Sequence, residues 1–85
     1  IILEQNYPNP FNPKTQIEFE LVQDSDVDVV VYNLAGKEVA LLHKGFLSRG
    51  KYNFEFDGSD LPSGIYLFQV VSSQSTQTRK MILAK

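Results

Sequence analysis

From Thr15 onward hydrophobic and polar residues alternate, with Ile17, Phe19 and Leu21 on one side and Gln16, Glu18 and Glu20 on the other. A period of two is the signature of a half-buried strand. Gln23-Asp24-Ser25-Asp26 interrupts the pattern, and Val27, Val29 and Val31 then alternate with Asp28, Val30 and Tyr32. That second strand is apolar enough to be buried on both faces. Asn33-Leu34-Ala35-Gly36 reads as a hairpin loop in which Gly36 supplies positive φ, and Lys37 to Leu42 returns as the partner strand. Gly45 to Gly50 reads as a connection crossing from one sheet to another, before Tyr52, Phe54 and Phe56 alternate with Asn53 and Glu55. A turn cluster, Asp57 to Gly64, precedes a last hairpin of Ile65 to Ser72 and Thr76 to Ala84 across Ser73-Gln74-Ser75. No segment holds a helical period over three turns.

The stretch ahead of this alternation is of another kind. Asn6-Tyr7-Pro8-Asn9-Pro10-Phe11-Asn12-Pro13 carries three of the four prolines. Each proline fixes φ near about −65°, removes a backbone donor and restricts the residue before it, so the segment is neither helix nor central strand. Its stiffness lowers the entropic cost of docking Tyr7 and Phe11 against the sheet that starts at Thr15. The chain therefore divides into an opening segment, residues 1–14, and a body, residues 15–85, within one domain. Short strands punctuated by Gly, Pro and Asn predict an all-β fold, an antiparallel β-sandwich of about seven strands, with a small open barrel as the alternative.

Composition narrows the function classes. With 85 residues, 42% hydrophobic and 21% charged, the chain has an ordinary globular make-up and room for one small core. A net charge of −2 provides no basic field, so nucleic acid is not an expected partner. No apolar run approaches the roughly 18 residues of a membrane span. The chain opens on Ile1-Ile2-Leu3-Glu4 with neither initiator methionine nor signal peptide, and reads as part of a longer protein. There is no cysteine, hence no disulfide and no thiolate metal site.

Candidate chemistry is sparse. Asp24, Asp26 and Asp28 have the spacing that opens a calcium loop, but Val29 stands where glycine is needed and Ala35 where a bidentate glutamate should close the shell. Asp57 and Asp60 flank Gly58 and are a candidate for a weak surface cation, although Asp-Gly is foremost a turn signal. His43, the only imidazole, reads as an exposed bystander at a strand end. No acid/base or nucleophilic constellation is present, so no enzyme activity, cofactor or metal is expected. Tyr7, Phe11, Tyr32, Phe46, Tyr52, Tyr66 and Phe68 raise sugar stacking as an alternative, against their ordinary use as core area in a small sandwich.

Four blocks in order carry a family resemblance across essentially the whole chain. Leu3 to Pro13 followed by Thr15, Ile17 and Phe19, then Val31 to Val39, then Gly50-Lys51-Tyr52, then Leu61-Pro62-Ser63-Gly64-Ile65-Tyr66, with Thr78, Lys80 and Lys85 at the end, resemble type A C-terminal sorting domains of the type IX secretion system of Bacteroidetes and relatives. The resemblance implies an immunoglobulin-like sandwich and a label that is read, without catalysis of its own. It implies passage of an upstream cargo domain through the periplasm to the cell surface or medium. The implied partners are the outer-membrane translocon, its shuttle proteins and a sortase-like cysteine peptidase cutting upstream of or near Ile1. The terminal block departs from the family pattern: only Arg79 and Lys80 precede Met81-Ile82-Leu83, with a single Lys85 closing the chain. An assembly or carbohydrate-binding module is the competing reading.

On this footing the recognition residues are expected among Gly64, Tyr66, Thr78, Lys80, Ile82 and Lys85, with Asn6, Tyr7, Pro8, Asn9, Pro10, Phe11, Asn12 and Pro13 as the opening motif. Gly64 permits a tight strand start and Tyr66 anchors a core edge. Two readings stand for Lys80 to Lys85. It is either a terminal strand that adds to a receptor's sheet or an ordinary edge guarded by lysines. Val70, Val71, Ile82 and Leu83 leave an edge-strand dimer of the isolated chain open.

Overall fold

A computed structural model describes all 85 residues, Ile1 to Lys85. Seven strands form, β1 (Ile2–Leu3), β2 (Lys14–Leu21), β3 (Ser25–Asn33), β4 (Glu38–Leu47), β5 (Gly50–Asp57), β6 (Gly64–Val71) and β7 (Thr76–Leu83). They make two antiparallel sheets, β1-β2-β5 and β4-β3-β6-β7, packed as a sandwich. Period-two burial sends Ile17, Phe19 and Leu21 of β2 and Phe56 of β5 inward against Val27, Val29 and Val31 of β3, Phe68 and Val70 of β6, and Met81 and Leu83 of β7. These side chains form one buried cluster.

Several expectations are refined by register. β3 begins at Ser25, and β4 runs on through Gly45 to Leu47, with Val27 opposite Gly45 and Ser25 opposite Leu47. The connection between the sheets is therefore only Ser48-Arg49. Glycine is tolerated here because β4 is an edge strand, and the two register shifts of the β3–β4 pair lie farther along, between Val29 and Val30 and between Val31 and Tyr32. β1 is too short to show any period and was not legible as a strand. Val30 confirms double-sided burial of β3: it points outward yet is 5% exposed. The hairpin at Asn33 to Lys37 closes with Gly36 at φ +82°; the Asn33 amide donates to the Lys37 carbonyl, and Asn33 accepts the Lys37 amide on Oδ1 and the Gly36 amide on its carbonyl.

The two rings of the opening segment part company. Phe11 is 2% exposed and packs edge-on against Phe56 at 5.9 Å, whereas Tyr7 is 80% exposed. Tyr7 pairs with Gln16 by two main-chain bonds, which leaves its ring directed away from the core. The expectation that both rings dock thus fails for Tyr7. Asn6 is the inward residue instead, 2% exposed, donating to Thr15 Oγ1 at 3.0 Å and to the Pro8 carbonyl at 3.2 Å. The Tyr7-Pro8, Asn9-Pro10 and Asn12-Pro13 bonds are cis. Between Leu3 and Phe11 the chain passes from the edge of one sheet to the edge of the other, where Phe11 meets Leu83 in a parallel bridge.

Candidate recognition surface

Alternation along β7 sorts the terminal residues. Met81 and Leu83 face the core, while Thr78, Lys80 and Ile82 lie opposite Gln69, Leu67 and Ile65 of β6 on the outer face of the four-stranded sheet. Gln69 Nε2 donates to Thr78 Oγ1 at 3.2 Å, and Ile65 and Ile82 are 37% and 40% exposed. Leu41 of β4 lies opposite Val30 on the same face and is also exposed. The other sheet turns out a charged face, with Lys14, Glu18 and Glu20 of β2 beside Lys51 and Glu55 of β5. A depression of about 370 Å³ there is lined by Glu4, Glu18, Glu20, Lys51 and Asn53 among others. The two outer faces thus differ in chemistry.

The remaining expected residues fall elsewhere. Tyr66 is 5% exposed and faces inward, its hydroxyl donating to the Pro62 carbonyl at 2.7 Å. A tyrosine near the start of this strand bonding back to upstream backbone is the corner found in immunoglobulin-like sandwiches. Gly64 opens β6 opposite Leu83, with open space where a side chain would stand. Lys85 is tied down over the β5–β6 loop, its amide donating to Ser63 Oγ at 3.0 Å and its Nζ to the Ser59 carbonyl at 2.6 Å.

The opening motif flanks this surface along the edge of β7. Pro8 presents its carbonyl to Thr15 Oγ1 at 2.8 Å, Asn9 presents Oδ1 to the Ile82 amide at 3.0 Å, and Pro13 presents its carbonyl to the Gly58 amide at 2.8 Å. Pro10 and Asn12 are exposed. The edge of β7 from Lys80 to Ala84, expected to be open, is covered by this segment.

Candidate ligand residues carry structural contacts. Asp24 accepts from the Arg49 amide at 2.8 Å and Asp28 approaches Lys44 at 3.7 Å. Asp57 accepts from both the hydroxyl and the amide of Ser59, and these bonds, the hydroxyl first, hold its carboxyl below the usual carboxylate range. No group of three or more His, Cys, Asp or Glu residues converges on a metal-sized site. His43 is not exposed as expected. It is half-buried, tilted against Phe54 at 5.5 Å, with Nε2 3.2 Å from the Gly45 carbonyl. Phe19, Tyr52 and Phe54 stack beneath it. Among the aromatics proposed for sugars, Phe11, Tyr66 and Phe68 belong to the core, and the exposed Tyr7 and Phe46 belong to different sheets.

A family profile described as a secretion system C-terminal sorting domain matches residues 5–84. The chain belongs to this family. The sorting domain is a C-terminal signal for type IX secretion, and its family is in general non-catalytic. Membership implies interaction with the secretion machinery, attachment to an upstream cargo, and a secreted protein destined for the cell surface or outside. No match to the sorting domain was found among the curated proteins or the solved structures compared.

Proposed function

We propose that the export machinery reads the outer face of the four-stranded sheet, through Thr78, Lys80 and Ile82, with Lys85 marking its C-terminal end. The observation supporting this reading is the register that gathers Thr78, Lys80 and Ile82 beside Ile65 and Leu67, an exposed apolar patch at one end of that face, while the opposite face is charged. Apolar area supplies affinity on burial, and Lys80 supplies orientation. Tyr66 and Gly64 act indirectly, by holding the start of β6 beneath that face. The domain follows its cargo into the periplasm, engages translocon and shuttle there, and performs no catalysis. A sortase-like peptidase then separates it from the cargo upstream of or near Ile1.

The test is a fluorescent passenger carrying residues 1–85 at its C-terminus, expressed in a type IX-competent host and in a translocon-deficient strain. Surface or medium signal is expected only in the competent strain. Ile82→Glu and Lys80→Glu are expected to retain the passenger in the periplasm, and Glu18→Lys on the charged face to be exported normally. Equal export of all three variants would refute the assignment of the face while leaving the sorting role intact.

A further inference from the structure

Residues 1 to 11 run alongside β7 in the same direction. Six hydrogen bonds join them: Gln77 Nε2 to the Ile1 carbonyl at 2.7 Å, Arg79 Nε to the Leu3 carbonyl at 3.2 Å, Gln5 Nε2 to the Lys80 carbonyl at 2.9 Å, the Ile82 amide to Asn9 Oδ1 at 3.0 Å, the Phe11 amide to the Ile82 carbonyl at 2.9 Å and the Ala84 amide to the Phe11 carbonyl at 2.9 Å. From Lys80 to Ala84, the outward main-chain groups of β7 at the Lys80 carbonyl, both Ile82 groups and the Ala84 amide are thereby satisfied. Such groups on an open edge are a template for another strand.

We propose that residues 1 to 11 are a strap that closes the β7 edge and keeps a second copy of this chain from pairing its own β7 there. The strap's composition fits the task. Pro8 and Pro10 have no backbone donor, so the strap ends the sheet instead of extending it. Only Phe11 pairs with β7 by main chain on both its groups; Gln5 and Asn9 reach β7 through exposed side chains. Removing those side chains frees the Lys80 carbonyl and the Ile82 amide and leaves the strap held there by the Phe11 main chain alone, without touching the buried Phe11 ring. Two β7 edges from which the loosened strap is displaced can then pair about a two-fold axis centred on Met81, which sets Lys80 opposite Ile82 and Arg79 opposite Leu83 and avoids opposing like charges. This inference concerns the chain alone and stands or falls separately from the export role.

The test compares the full 85-residue chain with Gln5→Leu/Asn9→Leu by sedimentation across concentration, circular dichroism, and amide exchange at Ile82 and Ala84. The wild type is expected to be monomeric. The variant is expected to keep its β-sheet spectrum and form a dimer in which the Ile82 amide is protected about tenfold or more over the variant monomer at low concentration. A folded variant that stays monomeric overturns the proposal, as does a dimer in which the Ile82 amide remains unprotected. The single variants Asn9→Leu and Gln5→Leu decide in the same way if the pair does not fold.

Discussion

Replacing Phe11 with alanine removes a ring that is 2% exposed, stands edge-on to Phe56 at 5.9 Å and belongs to the single buried cluster. Full burial of an aromatic withdraws about 150–250 Å² from water, and Phe→Ala in a core costs about 3–5 kcal/mol once the cavity is included. A chain of 85 residues has about 4–13 kcal/mol in all, so this one ring accounts for about a quarter of the margin or more. In a domain of this size each kcal/mol moves the melting point by about 4–8 °C, so a fall of about 12–40 °C is expected. Thermal and urea unfolding followed by far-ultraviolet circular dichroism measure it, with Tyr7→Ala as the matched control. Tyr7 is 80% exposed and engages β2 only by main-chain bonds, so its truncation should stay within about 0.5 kcal/mol of wild type. A Phe11→Ala variant within about 1 kcal/mol of wild type, or a Tyr7→Ala variant as damaged as Phe11→Ala, would refute the assignment of the two rings.

Tyr66→Phe deletes the 2.7 Å bond to the Pro62 carbonyl and is expected to cost about 0.5–1.5 kcal/mol in urea unfolding, with the ring and fold unchanged; no loss would mean that water replaces the hydroxyl fully. Asn6→Ala removes a buried donor shared by Thr15 Oγ1 and the Pro8 carbonyl, for an expected loss of about 1–3 kcal/mol, and a neutral result would contradict its structural role. The Asp57 carboxyl lies below the ordinary carboxylate range because Ser59 donates to it, so its contribution to stability is complete above the ordinary range and is lost as pH falls through the depressed value. Carboxyl NMR titration of Ser59→Ala should return Asp57 toward ordinary titration, and an unchanged curve would remove Ser59 as the cause.

Where burial follows a local period, the residues announce their positions. Ile17, Phe19 and Leu21, the valines of β3, and Phe68 and Val70 all lie inward as alternation requires, because one face of each strand must meet the opposite sheet. Gly45 misled because a glycine reads as a break, whereas an edge strand tolerates it, and only the pairing of β4 with Ser25 to Val29 reveals the strand. Thr78, Lys80 and Ile82 were legible as one side of a strand, but their apolar neighbours Ile65 and Leu67 required the β6–β7 register. Bonds between residues about 75 apart, such as Gln77 to Ile1, leave no local trace, and Tyr7 and Phe11 could not be ranked without them. Asn6 carried a detectable signal: a polar residue inside a stiff segment nine residues before Thr15, the hydroxyl that takes its bond.

The parallel course of the opening residues and β7 has a mechanical consequence. Tension applied between Ile1 and Lys85 pulls the two segments in opposite directions along their common axis, so bonds from Gln77–Ile1 to Ala84–Phe11 are loaded together in shear and not peeled one at a time. A cargo dragging on the front of the domain while its tail is gripped therefore meets resistance from the whole seam at once. Traction on the opening segment against a hold on β4, on the far side of the same sheet, would strain that seam obliquely and release it at lower force.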